Sequence, residues 1–142
     1  MKKIFFAFLS YIIIFVNSNL LSEEQKKILK IGLLAPLSGE YKVLGDSLLY
    51  SLQLALTEIN DENVFIIPRD AGFNNEKKLT SAIEDIKTEG ANIIIGPLSN
   101  EDFDIVKKYS ELTFISPSNI SPKFEDNIIS VGISLESIIS TN

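Results

Sequence analysis

The sequence predicts an α/β fold in which a parallel sheet is flanked by helices. Short apolar runs alternate with helix-spaced stretches, those runs lack the polar alternation of a half-exposed strand, and three of them end in Pro, Gly and Ser. Parallel strands are joined through helices and covered on both faces, so they read as nearly continuous Ile and Leu.

The first strand is expected over Ile28 to Ala35, closed by Pro36. From about Leu44 the apolar residues fall at helical spacing: Leu44, Leu48, Leu52, Ala55 and Ile59, with Leu49 and Leu56 widening the stripe. This stripe reads as core. Val64 to Ile67 is a second, β-branched strand, closed by Pro68 and followed by a turn over Arg69 to Gly72. Glu76 to Glu89 places Leu79, Ala82, Ile83 and Ile86 on one helical face, and Gly90 stands just past the end as a terminator. A third strand is expected over Ala91 to Ile95. It runs into Gly96-Pro97-Leu98-Ser99, where Ser99 or Asn100 can cap a helix whose first turn carries Glu101 and Asp102, the charge that the macrodipole favours. Leu112 to Ile115 and Ile128 to Val131 complete the strands, and Ile133 to Asn142 reads as the start of another helix.

The first residues obey a different rule. Lys2 and Lys3 precede an apolar run from Ile4 to Leu9 that continues from Tyr11 to Val16, the pattern of a secretory signal peptide over residues 1–18. The run is short for a membrane span; an uncleaved N-terminal anchor is the alternative. No Cys follows it, so no lipid can be attached there. Residues 19–27 form a polar leader, and loss of Lys2 and Lys3 takes the formal charge from -6 to -8.

Composition removes several classes of function. At 142 residues, 45% hydrophobic and 23% charged, the chain has the make-up of one globular domain. It has no Cys and no His. Thiolate and imidazole metal sites, thiol nucleophiles and the Ser/His/Asp triad are therefore excluded, and no enzyme, metal or cofactor is expected. With a formal charge of -6 and no basic stripe, nucleic acid is not an expected partner.

Function is expected beyond the carboxyl ends of the strands, where open parallel sheets bind ligands. Loops of the same chemistry follow three strands: Pro36 to Gly39, Gly96 to Asn100 and Ser116 to Asn119. They converge if strand one lies between strands two and three. A strand that empties through small polar residues onto a helix start aims backbone N–H groups at one spot, which suits an anion or carboxylate. Each residue also has a plainer reading. Ser38 and Gly39 suit a strand-to-helix turn, Ser99 a helix cap, and Ser116 and Ser118 an ordinary turn. Asp70 is read as a loop residue that bonds its own backbone or pairs with Arg69.

The runs IGLLAPLSGEYKVLGDSLLYSLQLAL, PRDAGFN, IIIGPLSN and FISPSN together resemble the type 1 periplasmic binding proteins, in particular the Leu/Ile/Val-binding branch and the penicillin-binding protein activators. The resemblance covers Lys30 to Ser134 and rests on the PLSG-x5-G spacing from Pro36 to Gly45 together with Gly96-Pro97. It implies that residues 28–142 are a partial N-terminal lobe of a periplasmic ligand-binding domain. It also implies ligand-binding roles for Ser38, Gly39, Ser99, Ser116 and Ser118. Two functions follow from it. One is capture of a small polar solute such as an amino acid for the permease of an ABC transporter; the other is activator-like regulation of a peptidoglycan synthase. Leu44, where the amino-acid branch often has an aromatic ring, and the direct connection Asn60 to Asn63 resemble the activators more closely.

Overall fold

The computed structural model describes residues 27–117 and 126–132; the expected signal peptide, Ser118 and the helix start at Ile133 lie outside them. Five strands, β1 (Leu29–Ala35), β2 (Val64–Asp70), β3 (Ile93–Ile95), β4 (Thr113–Ser116) and β5 (Ile128–Ser130), form one sheet in the order β2-β1-β3-β4-β5. Every pairing is parallel. Strand β1 therefore lies between β2 and β3, as convergence of the loops requires. Helices α1 (Lys42–Ile59) and α2 (Glu76–Thr88) follow β1 and β2, and a 3₁₀ turn (Asn100–Asp102) leads into the short α3 (Phe103–Val106) after β3. Among the described residues, no helix is long and apolar enough to cross a membrane.

The core lies on one face of the sheet. Helix α2 begins where Asn75 accepts a hydrogen bond from the Lys78 amide at 3.0 Å, and it buries Leu79, Ala82, Ile83 and Ile86. These meet Leu34, Ile67, Ile94 and Phe114 from the sheet and Val106 from α3. Ile83, Ile86 and Phe114 are among those wholly inaccessible to solvent, and truncating any one to Ala costs about 2–5 kcal/mol.

Helix α1 corrects the sequence reading. Only Gly45 is buried in it; Leu44, Ala55 and Ile59 are exposed and Leu48, Leu52 and Leu56 half-buried. Helical spacing reveals an apolar face but not what covers it. Gly45 is the pivot, because a side chain there would collide with the Pro36 carbonyl oxygen. Its absence lets α1 lie directly on the end of β1.

Strand β2 runs on through Pro68 to Asp70 instead of stopping before it. The register explains why. The amide of Ala71 donates to the Ala35 carbonyl, so odd-numbered residues of β2 turn their amides toward β1, and the Pro68 nitrogen faces the open edge. No ladder bond is lost. Strand β3 begins at Ile93 rather than Ala91, and Ser99 caps a 3₁₀ turn, accepting from the Glu101 amide at 3.3 Å, rather than an α-helix.

Candidate functional site

Because all strands point the same way, the loops after β1, β3 and β4 leave one edge of the sheet from three adjacent strands. The sequence placed Ser38, Ser99 and Ser116 in these loops, and all three stand at that edge. Their surroundings differ.

Ser38 is exposed and belongs to a clamp built on Asp70, the last residue of β2. Asp70 Oδ1 accepts from the Leu37 amide at 2.9 Å and the Gly72 amide at 3.1 Å. Its Oδ2 accepts from Ser38 Oγ at 2.6 Å and from Lys78 Nζ at 2.8 Å. Lys78 Nζ also donates to Ser38 Oγ at 2.7 Å. Four donors fill the four lone-pair positions of the carboxylate. Burial alone would raise its pKa; the bonds from Lys78, Ser38, Gly72 and Leu37 overrule that and hold the carboxyl well below the usual range. Asp70 thus does bond its own backbone two residues on. Its ionic partner, however, is Lys78 on α2 and not Arg69, which reaches Glu89 and Asp85 instead. Side chains of β2 alternate between faces, so Arg69 and Asp70 point apart.

Gly39 has a φ of +77°, a conformation that favours glycine, and its carbonyl accepts from the Lys42 amide at the start of α1. Beside this turn, Tyr41 stacks on Phe73 with ring centroids 4.1 Å apart, joining the β1–α1 and β2–α2 loops a second time.

The other two loops are joined by Ser116. Fully buried, it donates from Oγ to the Pro97 carbonyl at 2.8 Å and thereby ties the β4 end to the β3 loop. The Gly96–Pro97 bond is cis, and Gly96, at φ +113°, packs so closely on the Leu34 carbonyl that no side chain fits. Ser99 is buried as the cap of the following turn.

Sequence reasoning missed Asp102. It is 5% exposed, and burial, reinforced by the charge of Glu101, pushes its carboxyl up to about 6. Among the described residues, no three carboxylates gather to hold a metal ion. The edge offers hydroxyls, backbone amides and one Lys–Asp pair, which is chemistry for holding a small polar molecule.

No protein-family model and no curated protein matches the chain. Solved structures do. A leucine-binding protein from Thermotoga maritima superposes with a TM-score of 0.64 at 18% identity, over 73% of this chain and 32% of that one. An ABC transporter substrate-binding protein from Sphaerobacter thermophilus gives 0.58 at 24% identity, over 66% and 28%. Full-length LpoA from Haemophilus influenzae gives 0.59 at 22% identity, over 80% and 21%. The C-terminal domain of LpoA is a regulator of PBP1A in that organism. This chain spans only a fifth to a third of the length of these structures. Its parallel five-stranded sheet with flanking helices is the α/β fold of the type 1 periplasmic binding proteins, carried over that share of their length.

Proposed function

We propose that the chain is a non-enzymatic ligand-binding lobe that is exported to the periplasm after removal of residues 1–18. It would hold a small polar solute such as an amino acid and deliver it to an ABC transporter permease. The observation that carries this reading is the meeting of three serine-bearing loops at the carboxyl ends of β1, β3 and β4, with Ser116 tying two of them together. Residues 38, 39, 99, 116 and 118 would supply the contacts.

On this reading the first and third loops would do different work. Ser38 Oγ spends its proton on Asp70 and takes one from Lys78, so its remaining capacity is as an acceptor, suited to a ligand's ammonium group. Ser116 spends its proton on Pro97, so the third loop would meet a carboxylate through its backbone. A solute with separate ammonium and carboxylate groups fits this division. Calorimetry of the full chain against an amino-acid panel tests it: saturable heat with one member supports the reading, and a silent panel counts against it.

The second reading is a regulator of a peptidoglycan synthase. The likeness to LpoA and the short Asn60 to Asn63 connection between α1 and β2 favour it. Pull-down of a purified synthase by a chain that is silent in calorimetry would decide for this reading.

A further inference from the structure

The loop after β3 continues as two single-turn elements, the 3₁₀ turn over Asn100–Asp102 and α3 over Phe103–Val106, three and four residues long. Helices this short do not hold themselves in water, so the segment keeps its place by what it buries and bonds. At its far end the anchors are firm. Val106 is wholly inaccessible, Phe103 and Ile105 pack against the core, and Asn127 Nδ2 donates to the Val106 and Tyr109 carbonyls at 3.3 and 3.0 Å. The near end is held more weakly. There Ser99 Oγ accepts from the Glu101 amide at 3.3 Å, beyond the usual length of such a bond.

Between the two ends, at the joint of the turn and α3, stands Asp102. Of the polar side chains buried among the described residues, Ser99 and Ser116 make hydrogen bonds, whereas the Asp102 carboxyl receives none from those residues. As the cap residue of α3 it accepts no amide, and the charge that acts on it is that of Glu101, its neighbour in sequence. The cations of adjoining segments are committed elsewhere: Lys107 pairs with Asp104, and Lys87 with Glu111. No charged group of the sheet, of α2 or of another described element acts on Asp102. Asp70 has the opposite design, with a donor for every lone pair. A carboxylate at 5% exposure without donors is costly, so the neutral acid is the form this position accepts. Burial and Glu101 accordingly push the carboxyl up to about 6.

We propose that Asp102 is a proton-operated latch on the loop after β3: as the neutral acid it lets residues 99–103 stay seated, and as the carboxylate it drives them to lift, pivoting on Val106, so that water reaches the charge. Lifting breaks few bonds. The Glu101 amide leaves Ser99 Oγ, the Phe103 amide leaves the Asn100 carbonyl, and the Lys107 amide leaves the Phe103 carbonyl. The parallel ladder and the α2 core stay intact, so this local opening lies below loss of the whole fold in free energy. Ser99 belongs to the lifted turn, and its hydroxyl therefore withdraws from the edge where the three loops meet. Acid firms that edge and alkali loosens it. The latch needs no ligand, so its test is separate from both readings of the site.

Amide hydrogen exchange of the full chain, corrected for the intrinsic effect of pH on the chemical step, reads the opening at Phe103 and Lys107. The open form carries a hydrated carboxyl of ordinary pKa 3.8 and the seated form one near 6, so opening grows with pH between those values and levels off above them. From pH 5 to pH 8 the opening constant should rise about tenfold. Low urea should leave it nearly unchanged, since a local opening exposes little surface. Asp102→Asn should abolish the rise. Asp104→Asn, on the same short helix but with a side chain 77% exposed, should keep it. Three results overturn the proposal: no rise in the parent chain, a rise that survives Asp102→Asn, or exchange at Phe103 and Lys107 that shares the urea slope of the β1 amides, which marks unfolding of the whole domain.

Discussion

Replacing Asp70 with Asn tests whether the clamp at the β2 end is structural. The amide keeps an oxygen for the Leu37 and Gly72 amides but presents NH₂ where Oδ2 took protons from Ser38 and Lys78. Two hydrogen bonds to a charged group are lost, each worth about 1.5–3 kcal/mol when well shielded. The Asp70 and Lys78 side chains are 31% and 45% exposed, so the low end applies and the loss is about 2–3 kcal/mol. Urea unfolding should show it as a midpoint lower by about 1–2 M. The pH dependence follows from the sign of the shift. A carboxyl whose folded pKa lies below its ordinary 3.8 contributes its full stability above that value and loses it as pH falls toward the folded pKa. Asp70→Asn should therefore abolish the part of the acid destabilisation that appears below pH 3.8. A midpoint unchanged at pH 7, or an acid limb identical in both proteins, would refute the reasoning.

Asp102 behaves in the opposite sense. Its raised pKa, about 6, means that the folded state prefers the protonated form, so stability rises as pH falls from above 6 toward 3.8. Asp102→Asn should be more stable than the parent at neutral pH by about 2 kcal/mol, with the difference gone near pH 4 in thermal melts. Gly45→Ala drives a methyl into the Pro36 carbonyl and should cost about 1–3 kcal/mol in urea unfolding, with α1 displaced from the β1 end. Ser116→Ala leaves the buried Pro97 carbonyl without its donor, a loss of about 1–3 kcal/mol that Ser116→Thr should partly restore.

The ends of β1 and β3 were legible in the sequence because Pro36 and Gly96 punctuate apolar runs, and that punctuation marked the edge where the serine loops gather, whereas Pro68 did not end β2 and β4 runs one residue past Ile115. The α2 core face was equally plain, its four apolar residues sitting at unbroken helical spacing between Asn75 and Gly90. What the α1 stripe touches was not legible, since periodicity describes one element and burial depends on its neighbours. The clamp also escaped. Asp70 and Lys78 are eight residues apart, on a strand end and a helix first turn, and only the β2–α2 turn geometry brings them together. The glycine two residues after Asp70 was the available signal, because it marks a turn closed by an Asp side chain. Ser116 read as a loop residue, yet it ends β4, where alternation turns it inward with Phe114.

Pro68 decides how this molecule can fail. Strand β2 is a sheet border, the place where an incoming chain would zip on by backbone pairing, and the imino nitrogen there withholds a donor that a templated strand would require. Misassembly is thereby diverted from fibril growth toward sticky, oil-like contacts between helices. Deposits formed on storage should leave amyloid dyes dark, and Pro68→Val should light them up.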